Sequence, residues 1–145
     1  MKLSYLFIAI MMSATIFSSC VKDEIFDGPA SLSDAVAIPA APKSTESVTV
    51  SAKVLDLQGI TSVNLLYRTV AGGVFTTVSM TAGTNYTYQG TIPALPKDTK
   101  VGYYIEVKNV TGKITVYPAE APSKLVEYTV GASNDLRSAD TVSVR

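Results

Sequence analysis

The residue with the most distinctive chemistry in this chain is Cys20, its single cysteine. A thiolate can act as a nucleophile, as a metal ligand or as the acceptor of a covalent modification. The chain contains no histidine, which excludes a Ser-His-Asp triad, a Cys-His dyad and any His-ligated metal site. A single cysteine also excludes an intramolecular disulfide and a cysteine-rich zinc site. Covalent modification is the role that remains for Cys20.

The carboxylates offer the other candidate chemistry. Glu106 and Glu127 are the best placed, and two carboxylates can hydrolyse a glycoside when they flank a cleft and one has a raised pKa. Both are predicted to face outward on strands, so we interpret them as solvated charges. Asp23, Glu24 and Asp27 lie in a segment predicted to be flexible, which makes a poor metal cage. We therefore predict no catalytic residue, no metal site and no cofactor.

The overall composition is that of a folded chain without a charge bias. Its 145 residues allow at most one ordinary domain with appendages. The 12 basic and 12 acidic residues balance and form no basic stripe, so we expect no nucleic-acid partner. Hydrophobic residues make up 47% of the chain and recur along its length, so disorder of the whole chain is not expected.

Residues 1–19 have the pattern of a secretory signal peptide. Met1-Lys2 gives a positive start, and the segment from Leu3 to Phe17 is almost entirely apolar. This run of about fifteen residues is shorter than the ~20 that cross the hydrocarbon core of a bilayer as a helix. We therefore predict a signal peptide rather than a transmembrane anchor.

The end of this segment resembles a bacterial lipobox. In Phe17-Ser18-Ser19-Cys20, small residues precede the cysteine. The resemblance implies cleavage before Cys20, attachment of a diacylglycerol to its thiol, and a further acyl chain such as palmitate on the freed amine. Each buried CH₂ contributes ~0.8 kcal/mol, so two or three chains hold a soluble domain on a membrane where one would not. The alternative is a signal peptide cut elsewhere, with Cys20 a chance thiol.

The residues after Cys20 carry a second resemblance. Lys22-Asp23-Glu24 is similar to the export signal of surface-displayed lipoproteins in Bacteroidota-type bacteria. The residue directly after the cysteine is Val21, and not the Asp associated with retention in the inner membrane. This resemblance implies an outer-membrane protein exposed at the cell surface. The alternative is a hydrophilic tether with no export role.

Three further segments follow the signal peptide. Residues 20–47 are rich in Pro, Ala and Ser and are predicted to be an acylated, extended spacer. Within them, Ala35-Val36-Ala37-Ile38 fits a first edge strand that Pro39 would stop. Residues 48–131 are predicted to fold, and residues 132–145 to form a flexible polar tail.

Alternating apolar residues dominate the predicted folded segment. From Val48 onward they recur at every second position, which is the strand period, and turn residues such as Gly72-Gly73 separate the runs. Six to seven short strands without a helical period predict an all-β fold, a single β-sandwich. The side chains predicted to share its inner face are Val48, Val50, Ala52, Val54, Val63, Leu65, Tyr67, Val74, Thr76, Val78, Met80, Val101, Tyr103, Ile105, Val107, Val126, Tyr128 and Val130.

Three stretches of this segment resemble immunoglobulin-like, or fibronectin type III-like, modules of bacterial secreted proteins. They are residues 59–67, 88–93 and 101–112, within a resemblance that covers residues 48–130. The resemblance implies an immunoglobulin-like topology for the sandwich. The tyrosine corner of fibronectin-like modules is absent in its usual form, because Val101 stands at the tyrosine position.

Outward residues of two predicted strands form a candidate binding face. If the strands around residues 63–69 and 101–109 are sheet neighbours, as in sandwiches of this type, their outward side chains share one surface. An aromatic ring beside hydrogen-bonding groups suits a sugar or a protein strand. The alternative is an ordinary solvated face with an Arg68–Glu106 pair worth at most ~1 kcal/mol. The candidate face comprises Asn64, Leu66, Arg68, Tyr104, Glu106 and Lys108.

One further modification site is predicted in the tail. Asp140-Thr141-Val142 resembles the Asp-Thr-aliphatic acceptor used for O-glycosylation in the same lipoprotein-exporting bacteria. The resemblance implies a glycan on Thr141.

Together these features predict a noncatalytic, lipid-anchored protein of the outer membrane. The favoured function is an accessory module at the cell surface that binds a glycan or a protein, with the membrane as a second partner through Cys20. The alternative is a structural spacer, or a small subunit that docks through a sheet edge to a larger envelope complex. An enzyme is the least favoured class.

Overall fold

The computed structural model describes residues 27–69 and 72–132. In this part of the chain every regular element is a β-strand, and no helix suited to crossing a membrane occurs. Cys20, the Lys22-Asp23-Glu24 segment and Thr141 lie outside the described residues. The strands are β1 (Ser31–Ile38), β2 (Val48–Leu55), β3 (Ile60–Arg68), β4 (Thr76–Ser79), β5 (Thr81–Ala82), β6 (Thr87–Ile92), β7 (Lys100–Asn109), β8 (Ile114–Tyr117) and β9 (Val126–Thr129).

The nine strands form two antiparallel sheets. The first has the order β1-β2-β6-β5 and the second the order β4-β3-β7-β8, with β9 also paired to β7. Strands β8 and β9 lie along the same side of β7, opposite residues 105–108 and 100–103 respectively. The prediction of an all-β sandwich is therefore confirmed.

The core lies between the two sheets and follows the predicted alternation. Strand side chains alternate between faces, so every second residue of a strand points to the same side. The predicted inward residues of β2, β3 and β7 are all buried, and Leu65, Ile105 and Val107 are fully so, as is Ile92 of β6. Val126 and Tyr128 of β9 pack against this core from partly buried positions.

Strand β1 differs from the predicted spacer. The prediction placed residues 20–47 in an extended spacer, but Ser31–Ile38 pairs with β2 along its length, and Leu32, Ala35 and Ala37 pack against the core. Pro42 is also fully buried, and its carbonyl accepts a hydrogen bond of 2.8 Å from the N–H of Gly131. The edge strand predicted at Ala35-Val36-Ala37-Ile38 is therefore confirmed and ends before Pro39 as expected, and it begins four residues earlier than predicted, at Ser31.

The hairpin between β3 and β4 also departs from the prediction. Val74 was expected on the inner face with Met80, but Val74 is 94% exposed, and β4 begins only at Thr76, which is exposed as well. Met80 is buried as predicted. Gly72 in this loop has a φ of +79°, which is unfavourable for residues with a side chain. Val74 precedes the first residue of β4 and therefore belongs to the loop and not to the strand.

The register defines two ends of the sandwich. Ser31 pairs with Leu55, and Ile60 pairs with Asn109, at the end where the chain arrives from Cys20. We call this the proximal end, which comprises residues 27–31, 55–60, 82–87 and 109–114. The distal end is formed by the loops within 38–47, 72–76 and 92–100. The loop 117–126 lies midway along the sheet edge, because Tyr117 pairs with Ile105 and Val126 pairs with Tyr103.

Candidate functional sites

The two strands of the candidate face are sheet neighbours. Strand β3 pairs with β7, so that Asn64 lies opposite Glu106 and Leu66 lies opposite Tyr104. Alternation places these side chains on the outer side of the sheet, away from the core. The structure therefore brings the candidate residues onto one surface, while their role in binding stays a prediction.

The Tyr104 ring, however, is not the exposed platform that the sequence suggested. Tyr104 is only 8% exposed, because the ring of Phe75 stands edge-on against it with centroids 5.1 Å apart. The guanidinium of Arg68 lies 4.7 Å from the centroid of the Phe75 ring and covers it in turn. Burial, with the charge of Glu106 as a second cause, raises the pKa of Tyr104 above its ordinary value. The prediction of an exposed stacking ring was wrong.

The side chain of Leu125, in the loop between β8 and β9, packs on the same outer surface. A Cβ atom at Gly102 would lie 2.7 Å from Cδ1 of Leu125, so glycine leaves the space that Leu125 occupies. Gly102 and Tyr104 share the outer side of β7. Leu125, Tyr104, Phe75 and Arg68 thus form a small packed layer outside the sheet, which we call the outer cluster.

Most of what remains accessible on the candidate face is polar. Asn64, Leu66 and Glu106 are half-buried and Lys108 is exposed. The register sets Arg68 opposite Gly102, four residues along β7 from Glu106, or roughly 14 Å. The expected Arg68–Glu106 pair is therefore not formed. The accessible part, Asn64 with Glu106 and Lys108, is called the polar strip below.

The acidic residues are dispersed. Glu127 lies opposite Gly102, so its Cα is roughly 14 Å from that of Glu106. Glu127 is exposed on β9, which pairs directly with β7 and so leaves no cleft between the two residues' strands, whereas glycoside hydrolysis needs a cleft between its carboxyl groups. Asp27 forms an ion pair of 3.2 Å with Lys113. Within the described residues, no group of three acidic or thiol side chains converges as a metal site would require.

The proximal end carries a feature that the sequence analysis missed. Large hydrophobic side chains are exposed there. Three of them, Leu55, Leu57 and Tyr86, line a surface depression of about 340 Å³. Leu57, in the loop between β2 and β3, is 87% exposed, and Tyr86 is 67% exposed. The available signal was Leu57 itself, an apolar residue within the turn sequence Asp56-Leu57-Gln58-Gly59. The depression is lined by Pro29, Ser31, Leu55, Asp56, Leu57 and Tyr86.

Asn109 holds the proximal end together. It is 1% exposed, and its side chain makes four hydrogen bonds. Its Nδ2 donates to the carbonyl of Gly28 and to Oδ2 of Asp56, both at 3.1 Å. Its Oδ1 accepts from Oγ1 of Thr111 at 2.9 Å and from the N–H of Lys113 at 2.8 Å. One buried amide therefore joins the arriving chain, the β2–β3 loop and the β7–β8 turn.

Asp56 is the partner that fixes the exposed loop. Its Oδ1 accepts from the N–H groups of Gln58 at 2.7 Å and Gly59 at 2.9 Å, an arrangement typical of an Asx turn. Burial acts to raise the pKa of Asp56, but the hydrogen bonds from Asn109, Gln58 and Gly59 outweigh it and hold the pKa below its ordinary value. The carboxylate is thus ionised and engaged within its own loop.

Comparison with protein-family models finds no match to this chain, and comparison with curated proteins finds none either.

Proposed function

We propose that this chain is a noncatalytic lipoprotein of the outer membrane, acylated at Cys20, whose β-sandwich serves as a binding module at the cell surface. The observation that carries the proposal is the position of Cys20. It ends an apolar segment that follows a positive start, and the first strand begins at Ser31, shortly after it. A cysteine placed between an export segment and a folded domain suits an acylated N-terminus.

The proposal includes an immunoglobulin-like topology for the sandwich. Immunoglobulin constant-type domains have strands in the orders ABED and CFG. The first sheet, β1-β2-β6-β5, corresponds to ABED, and β3-β7-β8 corresponds to CFG, with β4 added beside β3. Such domains are general scaffolds for recognition, so the binding function depends on the surface and not on the topology.

The polar strip is the part of the candidate face that we propose for recognition. Asn64 supplies an amide, Glu106 a carboxylate and Lys108 an ammonium group on neighbouring strands, and these groups can hydrogen-bond to a glycan or to a protein. Because the Tyr104 ring is covered, contact would rest on hydrogen bonds and charge rather than on stacking. This chemistry suits a polar protein surface better than a stacked sugar ring.

A second candidate function is a structural one, a spacer or a small subunit of a larger envelope complex. The outer cluster favours this candidate, because it fills the place where an aromatic platform would otherwise bind a ligand. Docking would then use a sheet edge.

Substitution of the polar strip separates the two candidates. We expect an Asn64→Ala/Glu106→Gln/Lys108→Ala variant of the full chain to lose binding on a glycan array or in pull-downs with outer-membrane proteins. Glu127→Gln is the matched control, since it removes an exposed charge from the same sheet away from the strip. Co-purification with a complex that survives the triple substitution would support the structural candidate instead. Tyr104→Ala is unsuitable for this test, because it removes a packed ring.

A further inference from the structure

The exposed hydrophobic side chains of this protein are unevenly distributed. Single exposed apolar residues are normal on protein surfaces, whereas a group of them marks a contact surface. Of the nine large hydrophobic side chains that are exposed among the described residues, five lie at the proximal end. We call them the proximal patch, which comprises Leu55, Leu57, Tyr86, Val110 and Ile114.

The polar groups around the proximal patch are already engaged with one another. The described residues place two carboxylates at this end. Asp27 is paired with Lys113, and Asp56 is hydrogen-bonded by Asn109 and its own loop. Among the described residues, both carboxylates at this end therefore have partners. Contact with an apolar or anionic surface would not desolvate or repel an unpaired one.

The chain from Cys20 arrives at the same end. Asn109 fixes the carbonyl of Gly28, and Pro29 and Ser31 line the depression beside Leu57. Asp27 follows Cys20 by seven positions, and even a fully extended chain of seven residue steps spans at most about 25 Å. An acylated Cys20 would therefore hold Asp27, at the proximal end, within about 25 Å of the bilayer, and so keep the proximal patch at a high effective concentration near it.

We propose that the proximal patch docks on the lipid bilayer to which Cys20 is anchored, an inference that rests on the proposed acylation. Leu57, at the tip of its loop, would enter the boundary between head groups and acyl chains. Tyr86 would lie beside it at head-group level, where tyrosine is enriched in membrane proteins. The sandwich then stands with its proximal end on the membrane and its distal end directed away from it.

Tryptophan fluorescence tests this orientation, because the chain has no tryptophan of its own. Leu57→Trp places a probe in the patch, and Val74→Trp places a matched probe at the distal end, where Val74 is 94% exposed. Each full-length acylated variant is reconstituted into phosphatidylethanolamine vesicles that contain bromine-labelled phosphatidylcholine. We expect the Leu57→Trp variant to lose roughly half of its emission, because a side chain about 5–10 Å into the head-group boundary meets the bromine atoms. The Val74→Trp variant should keep its emission.

The outcomes separate this inference from the proposed function. If both variants sediment with the vesicles but quench equally weakly, the anchor stands and the docking is refuted. A chemically cross-linked dimer through the patch in that case would assign it to a second copy of the chain. If neither variant sediments and the mass of Cys20 is unmodified, the acylation fails, and the docking fails with it.

Discussion

Asn109 is the residue on which the proximal end depends most. Each hydrogen bond of a buried amide adds only modestly to the stability of the folded state. Removing the amide costs more, because its former partners are then buried without a hydrogen bond. Its removal would leave the Gly28 carbonyl and the Lys113 N–H without their partners. The exposed loop with Leu57 would lose one of its supports as well, through Asp56.

We therefore predict that Asn109→Ala lowers the free energy of unfolding by about 3 kcal/mol, because four hydrogen bonds are lost and buried groups are left unpaired. Urea unfolding measures the change. Asn64→Ala is the matched control, since it makes the same chemical change at a half-buried outer position and should cost about 0.5 kcal/mol or less. Equal losses in the two variants would contradict the assigned role of Asn109.

Asp56 gives the proximal end a dependence on pH. Because its pKa is lowered in the folded state, its contribution to stability is present above the unfolded-state pKa of about 3.9 and is lost as the pH falls through the lower folded value. We predict that Asp56→Asn is less stable than the wild type at neutral pH, and that this difference shrinks between about pH 5 and pH 2. Urea unfolding across that range measures it. A difference that stayed constant, with an Asp56 carboxyl titrating at its ordinary pKa by NMR, would refute the prediction.

At the scale of elements, the outer cluster joins parts of the chain that are distant in sequence. Phe75 comes from the β3–β4 loop, Leu125 from the β8–β9 loop, and both lie over strand β7. Gly102 matters here because its missing side chain lets Leu125 approach the sheet. Phe75 in this cluster covers the Tyr104 ring that the sequence suggested for binding.

This packing predicts a coupling between Gly102 and Leu125. Gly102→Ala forces its Cβ against Leu125 and should cost about 1–3 kcal/mol, the usual penalty of overpacking. The Gly102→Ala/Leu125→Ala double variant has no such clash. Its loss in free energy of unfolding should therefore be smaller than the sum of the losses in the two single variants, by at least about 0.5 kcal/mol. A double-mutant cycle by urea unfolding measures the coupling. Strictly additive losses would show that the two residues do not touch.

The strands could be predicted because their signal is local. Alternation in β2, β3 and β7 comes from a single buried face, and it predicted the inward residues. The pairing of β3 with β7 was expected from the resemblance to known sandwiches, and the structure has it. The edge strand expected at residues 35–38 is present as the second half of β1. The burial of Tyr104 could not be predicted, because it depends on contacts between residues far apart in the sequence. The proximal patch was missed because its members come from separate segments, which only the register of the sheets brings to one end. Alternation within a segment predicts a strand, whereas a surface made of several segments depends on how the strands pair.

At the scale of the whole molecule, fewer residues lie between the proposed anchor at Cys20 and the sandwich than the sequence suggested. A spacer of residues 20–47 would have lifted the sandwich well away from the membrane. With β1 in the first sheet, only the residues before Asp27 remain between Cys20 and the described structure. A lipoprotein built in this way would present its distal end to partners while the proximal end stays near the bilayer.

Intact-mass spectrometry of the chain purified from a lipoprotein-processing bacterium decides whether Cys20 is the acylated N-terminus of the mature protein. We predict a mass that lacks residues 1–19 and carries two or three fatty acyl chains, with Cys20→Ala carrying none. We also expect the wild type to stay in the membrane fraction and the variant to leave it. A mature chain with an unmodified Cys20 thiol, or one cut at another position, would refute the proposed acylation.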